Sequence, residues 1–294
     1  MSQINLVPAP FQIGGITVQQ IVEMQFPFLP PAVFLPTAPG ERLEQLRPQF
    51  EPWALCPVSG KLIIAVQTYA LRTRHHTILV DTCVGCNKHS PMEFWHRRTD
   101  DGWLTRLAAA GIRIDEVDYV FCTHLHGDHI GWNTRLIDGR FVPTFPNARY
   151  ICAATEVEHA RNAEAARQPA WQESVLPILE AGQAQLVETD FALDDEVWLS
   201  PSPGHTPGHV CVHILSAGQQ AILTGDVIHS PLQCKHPEWS ARPDIDKSLA
   251  ADTRRQVLAD NLETNRLMLS SHFPLPSIGH VVADGDTFGF DFIK

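Results

Sequence analysis

An apolar run, Val117–Thr123, empties without a linker into Thr123-His124-Leu125-His126-Gly127-Asp128-His129. Four metal-binding side chains, His124, His126, Asp128 and His129, thus follow directly on the end of a core strand. In a turn leaving a strand, His124 and His126 can converge on one ion while Asp128 and His129 reach a second. Imidazole nitrogen and carboxylate oxygen suit zinc, and also fit iron, manganese or cobalt. A surface histidine cluster without metal is the weaker account, because an aspartate packed among imidazoles calls for a neutralising cation.

Three later residues stand in comparable settings. His205 lies in Ser202-Pro203-Gly204-His205-Thr206-Pro207-Gly208-His209, where glycines and prolines fix the direction of a tight turn. Asp226 closes the apolar run Ala221-Ile222-Leu223-Thr224-Gly225, and His272 follows Leu267-Met268-Leu269-Ser270-Ser271. Polar groups at the exits of core strands are where α/β sheets commonly hold their chemistry.

The rest of the chain divides by texture. Ten of the 23 prolines fall in residues 1–57, among Phe11, Phe26, Phe28, Phe34 and Trp53. This arm is expected to be largely irregular after a first strand near Gly15–Met24, since proline fixes φ and lacks an N–H. It either packs its aromatics on the main body or forms a lid over the site, its own or a partner subunit's. Residues 58–294 are read as the catalytic domain. There Leu62–Leu71, His76–Asp81, Val117–Thr123, Arg149–Ala153, Ala184–Val187, Glu196–Ser200, Val210–Ser216, Gln220–Thr224 and Leu267–Ser270 read as strands. Trp103–Ala110 reads as a helix stopped by Gly111, and Trp171–Ala181 as another. A helix is expected to open at Thr155 with Glu158 completing a capping box. Ser248–Asn261 is expected to be helical, with Leu249, Val257, Leu258 and Leu262 on one side. Strands in runs with helices between them indicate a layered α/β domain with two sheets.

The order His-x-His-x-Asp-His, then Pro-Gly-His-Thr-Pro-Gly-His, then Gly-Asp, then a final histidine resembles the metallo-β-lactamase superfamily. The resemblance runs from about Asp81 to His272 and leaves only the arm outside. It implies an αββα sandwich, two mixed β-sheets flanked by helices, with the metals at one edge of the sheets. It also implies that His124, His126 and His205 hold one ion, that Asp128, His129 and His272 hold the other, and that Asp226 bridges them. Asp81, in Leu79-Val80-Asp81-Thr82, matches the family's first motif, whose aspartate orients the loop and does not bind metal.

Within that superfamily several branches fit poorly. Asp226 stands where the cysteine-ligand β-lactamases have their cysteine. Only 22 residues follow His272, too few for the helical region of glyoxalase II-like thioesterases, and flavodiiron proteins have a glutamate at the position of His126. The net charge of −11 supplies no basic stripe for nucleic acid. What remains resembles the lactonase and methyl-parathion-hydrolase-like branch, which cleaves cyclic esters and, in some members, phosphotriesters. Relatives there use a long N-terminal segment in dimer contacts, so a homodimer through the arm is expected. Many lactonases carry a tyrosine three residues after the bridging aspartate; here the position is His229.

The expected chemistry is that of two divalent ions, zinc first and manganese, cobalt or iron next, about 3.5–4 Å apart with an activated hydroxide between them. That hydroxide would attack a small ester or lactone, with Asp128 moving a proton and His229 donating to the substrate oxygen. Phosphotriester cleavage is the alternative. A mononuclear iron dioxygenase of the same fold would show one iron and oxygen uptake, and a metal-stabilised binding protein would show no turnover. The partner is then a small molecule, with no organic cofactor, no nucleic acid and no membrane. Met1–Pro10 has neither a basic residue nor a secretory apolar run, and the seven cysteines are odd in number, so a cytoplasmic protein with reduced thiols is expected. Cys83-Val84-Gly85-Cys86 is read as loop packing, since no second pair accompanies it. His75, His76 and His159 are read as exposed, and Trp132 as packing beside the metals with a substrate wall as the other reading. His209 and His213 are read as either hydrogen-bonding behind the site or packing, while His236 and Trp239 belong to a loop that could line a pocket.

Overall fold

The computed structural model describes residues 6–163 and 168–293. Among the described residues fifteen strands form two mixed sheets and a small hairpin. In chain order the first nine are β1 (Phe11–Ile13), β2 (Ile16–Pro27), β3 (Ile63–Arg72), β4 (Thr77–Val80), β5 (Tyr119–Phe121), β6 (Thr134–Ile137), β7 (Arg140–Pro143), β8 (Arg149–Ala153) and β9 (Ala184–Val187). The remaining six are β10 (Val197–Pro201), β11 (Val210–Ser216), β12 (Gln219–Leu223), β13 (Leu267–Leu269), β14 (Ile278–Asp284) and β15 (Thr287–Phe292). One sheet has the order β1-β2-β3-β4-β5-β8-β9, the other runs from β10 to β15, and β6 pairs with β7. With their helices these sheets give the expected αββα architecture.

By internal contacts the chain forms two compact units, one of Met1–Met24, Val66–Phe191 and Ser216–Gly218, the other of Gln25–Ala65, Ala192–Leu215 and Gln219–Lys294. In the first unit, β4, β5 and β8 run parallel, with Val80 opposite Phe121 and Phe121 opposite Ile151. Ile78, Leu79, Val120, Phe121 and Ile151 are buried, the near-continuous apolar reading of parallel strands covered on both faces. In the second unit, β12 and β13 are also parallel, with Leu223 opposite Leu269. Its core gathers Ile222, Val227, Leu258, Met268, Phe273 and Val281. Parallel neighbours deliver their next residues to the same end of a sheet, which is what sets the position of Asp81 and Thr123 in one unit and of Asp226 and His272 in the other.

Several local expectations are corrected. The arm is not mainly irregular: an 11-residue helix, Gly40–Phe50, buries Leu43, Leu46 and Phe50. The helix expected at Thr155 begins at Ala154 behind Ala153, with no side-chain cap. In Lys247–Asn261, Asp246 caps the start by accepting from Leu249 N. The buried face of that helix is Ala250, Arg254, Leu258 and Asn261, while Leu249 is 41% exposed. The hairpin β14–β15 follows His272 and had no counterpart in the expected strands, although Asp284-Gly285 between alternating apolar residues is a hairpin signal. All seven cysteines are free. Among the described residues no helix is long and apolar enough to cross a membrane.

Candidate metal centre

In the first unit the site begins with Asp81, which leaves β4 at φ 56, a left-handed conformation that aspartate tolerates better than most residues. This turns its carboxylate back onto the neighbouring strand exit. Thr123 donates to it twice, from N to Oδ1 (2.8 Å) and from Oγ1 to Oδ2 (2.9 Å), and His129 Nδ1 lies 2.8 Å from Oδ2. With the Thr123 hydroxyl proton spent on Asp81, its oxygen accepts from His124 Nδ1 at 3.0 Å. Both rings are therefore held with the proton on Nδ1, leaving Nε2 with its lone pair. Asp81 thus ties the histidine loop to the end of β4. The rings of His124 and His126 lie 4.7 Å apart and those of His124 and His129 4.2 Å apart. His124 and His129 are buried, while His126 and Asp128 are half-buried. A small cavity beside His126 is lined by Leu125, Glu156, His159 and Trp171.

The loops around this motif pass very close to each other. A Cβ on Gly131 would lie 1.9 Å from Val84 C, and Gly85 sits at φ 79 with Gly131 C only 2.6 Å from where its own Cβ would be. Cys83-Val84-Gly85-Cys86 is thus loop packing, as expected. Buried Glu23 fixes it by accepting from Val84 N, Gly85 N and Trp132 Nε1. Burial pushes the Glu23 carboxyl up despite those bonds. Trp132 is buried and stacks on Trp103 at 5.6 Å, so it is no substrate wall.

In the second unit the acceptor at the centre is Asp226. Its oxygens lie 3.3 Å from His205 Nε2, 3.1 Å from His229 Nε2 and 3.0 Å from His272 Nε2. The other nitrogens of His205 and His272 are committed elsewhere. His272 Nδ1 donates to Ala65 O at 2.8 Å, and His205 Nδ1 pairs with Asp244 Oδ1 at 2.8 Å. A carbonyl can only accept, so the neutral His272 ring presents the Nε2 lone pair to an anionic oxygen. Two facing lone-pair sets in a buried pocket call for a cation or a second proton, and the donors are those that divalent zinc-like ions prefer. The residues therefore fit a metal. The Asp226 backbone is itself held, its N donating to His209 Nε2 at 2.9 Å while Ser202 Oγ lies 2.8 Å from His209 Nδ1. His213 does not share that role: it stacks on Trp198 at 5.1 Å. Burial, then the charge of Arg266, pushes its pKa down to about 4.

His229 is buried between its neighbours, 5.0 Å from the His205 ring, stacked on His272 at 5.6 Å and edge-on to Phe34 of the arm at 5.3 Å. Burial lowers its pKa, against the opposing pull of Asp226. Its Nδ1 is buried and has no hydrogen-bond partner among the described residues. Trp239 is buried and stacks on His236 at 4.0 Å. His75 is exposed, whereas His76 and His159 are half-buried.

The Lactamase_B model of the metallo-beta-lactamase superfamily matches residues 64–265. The chain belongs to the metallo-beta-lactamase superfamily. Within it, an N-acyl homoserine lactonase of Bacillus thuringiensis is 29% identical over 182 residues, covering 58% of this chain. The match spans 66% of that lactonase's own length. Two solved structures share the fold at full length. One is AidC, a dizinc quorum-quenching lactonase in complex with a product, at TM-score 0.79 and 21% identity over 98% of both chains. The other is the hydrolase AbOPH, at TM-score 0.83 and 21% identity, covering 100% of this chain and 99% of that one. An AiiA variant of B. thuringiensis with N-decanoyl-L-homoserine at its active site is 25% identical at TM-score 0.53, covering 68% of this chain and 77% of that one. The chain carries two clusters of histidine and aspartate side chains that could hold metal ions, as a dinuclear centre requires.

Three residues that support the site escaped the sequence reading, Glu23, Asp244 and Arg254, whereas His209 takes the hydrogen-bonding role that was one of its two expected readings. Burial pushes the Asp244 carboxyl up, but the His205 bond and nearby cationic groups together hold it below its usual range. A buried charge in the middle of a helix, such as Arg254, carries no local motif that would single it out.

Proposed function

We propose that the chain is a dinuclear metal-dependent hydrolase of small lactones and esters. His124, His126 and His205 are assigned to one ion, Asp128, His129 and His272 to the other, and Asp226 to both. The observation that carries this reading is the Asp226 carboxylate facing His205 Nε2 and His272 Nε2 at 3.3 and 3.0 Å, with each Nδ1 held from behind. The lactonase names of the relatives support the substrate class.

Two divalent cations, when bound, supply Lewis acidity and an acidified water. The chain's part is to hold the imidazoles of His124, His129, His205 and His272 with Nε2 forward and to place Asp128, half-buried, as the group that moves a proton to the leaving oxygen. His229 is assigned the polar contact to the substrate oxygen. Its burial against His205 and His272 supports that role. Phosphotriester turnover is the second reading, favoured by His229 at the position where many lactonases carry tyrosine. A homodimer using the arm and a cytoplasmic setting belong to the same proposal, and the net charge of −11 supports the exclusion of nucleic acid.

The test is metal analysis beside turnover of an N-acyl homoserine lactone, an aryl ester and a phosphotriester. Two ions per chain with lactone or ester cleavage is the expected result. One iron per chain with oxygen uptake, or two ions without turnover of any of the three, overturns the proposal.

A further inference from the structure

Arg254 is fully buried in the helix Lys247–Asn261 and uses its whole fork. Its Nε donates to Val227 O at 2.7 Å, its Nη1 to Pro237 O and Trp239 O at 2.7 and 3.0 Å, and its Nη2 to Asp244 Oδ2 at 3.1 Å. Asp244 also accepts from Ala241 N on Oδ2 and pairs with His205 Nδ1 through Oδ1. One guanidinium therefore anchors the peptide next to Asp226 and the carboxylate behind His205. The segment leading into that helix seats the His205 turn, because Asp246 N donates to Gly204 O and Ile245 N to His205 O.

We propose that Asp244 and Arg254 are positioning residues that hold His205 in the Nδ1–H tautomer and thereby set the affinity of only one of the two proposed ions. This rests on the dinuclear reading. Oδ2 of Asp244 faces two donors and Oδ1 faces one. An asparagine at 244 would accordingly turn its oxygen toward Ala241 N and Arg254 and its NH2 toward His205. His205 Nδ1 must then accept, and its proton moves to Nε2, the atom 3.3 Å from Asp226 Oδ2. That nitrogen can no longer offer a lone pair to an ion without losing a proton. The ion held by Asp128, His129 and His272 does not draw on Asp244, and its affinity should stand.

The experiment is stepwise zinc and cobalt binding to the full chain and to Asp244→Asn, Arg254→Lys and Leu258→Ala. It is read by calorimetry, cobalt absorption and nitrogen-15 histidine spectra, with far-ultraviolet dichroism to report the folded fraction. Leu258 is fully buried in the same helix and serves as the control for packing loss alone. Expected are a loss of about 10- to 100-fold in affinity for one ion in Asp244→Asn, the second ion retained, and a His205 proton signal that moves from Nδ1 to Nε2. Arg254→Lys keeps the charge and loses the fork, so it should weaken the same ion. Leu258→Ala should lower stability and keep both affinities. Equal binding of both ions by folded Asp244→Asn and Arg254→Lys, or matched loss of both ions, overturns the positioning role while leaving the hydrolase reading intact. A wild-type chain that binds a single ion overturns the dinuclear reading on which both rest.

Discussion

Asp226 is the side chain on which His205, His229 and His272 all converge, and it is the first place to expect failure on substitution. Removing its carboxylate takes away the anion that three Nε2 atoms face at 3.0–3.3 Å. Asp226→Ala should cost more turnover than any single histidine change and should lower metal content below two per chain, measured by elemental analysis on the same sample. Full occupancy in that variant would show that Asp226 does not bridge. His229 separates differently, since it is not counted among the ligands. His229→Ala is expected to keep both ions and lower kcat by roughly 10²–10³-fold, the range for losing one donor to a developing oxyanion. Normal kcat per folded, metal-loaded molecule would remove His229 from the chemistry and leave it as packing against Phe34. The ligand candidates were legible because each follows a strand end in sequence. Asp244 and Arg254 were not, because their role depends on a helix that begins 42 residues after His205 coming back behind it, and nothing local in the sequence encodes that return.

At the scale of elements, parallel pairing is what turns separate motifs into a site. Leu223 opposite Leu269 brings Asp226 and His272 out at one end of a sheet, as Val80 opposite Phe121 does for Asp81 and Thr123. The strands themselves were readable from apolar runs, but their order was not, since neither β12–β13 nor β4–β5 is joined by a short turn. The helix Lys247–Asn261 illustrates the limit of periodicity: Leu249, read on one side with Leu258, is exposed where Leu258 is buried, because Arg254 occupies the buried face in its stead. An internal guanidinium with four acceptors satisfies burial as well as an apolar side chain does. The close approach between this helix and the His205 turn is open to test. Gly204 sits at φ 127, and a Cβ there would lie 2.3 Å from Ala250 N. Gly204→Ala must shift backbone, which places it among the strongly destabilising changes, roughly 2–4 kcal/mol. Thermal melting should show the loss, and metal titration should show weaker binding of the ion assigned to His205. An unchanged melting temperature would mean that the turn and helix yield freely.

For the whole molecule, two couplings to solution conditions follow. His213 is held neutral, with a folded pKa of about 4 against an ordinary value of about 6.5. Between those values the unfolded chain binds the extra proton and the folded chain does not, so stability falls as pH drops from about 6.5 toward 4. Chemical denaturation across that range should show a smaller decline in His213→Phe, which keeps the stacking on Trp198 and has no proton to bind; an identical decline would locate the pH dependence elsewhere. Metal binding acts in the opposite direction. The Nε2 lone pairs of His205 and His272 and the anionic oxygens of Asp226 face one another in a buried setting, so the metal-free protein retains repulsion that a cation removes. A ligand that binds only the folded state stabilises it by RT ln(1 + [L]/Kd), about 2.7 kcal/mol at a hundredfold excess over Kd. For a chain of this size that corresponds to a rise in Tm of roughly 4–5 °C. Chelation should therefore lower Tm and abolish turnover together, and zinc, manganese or cobalt should restore both. Restoration ought to saturate near two equivalents per chain, with the larger part of the Tm recovered by whichever ion engages Asp226 first. Were Tm to return fully with one equivalent while turnover stayed at zero until the second, the first ion would be the structural one and the second the ion that activates the water. If neither Tm nor turnover responded to chelation, the facing lone pairs would have to be neutralised by protons, and His205 and His272 would be imidazolium ions paired with Asp226.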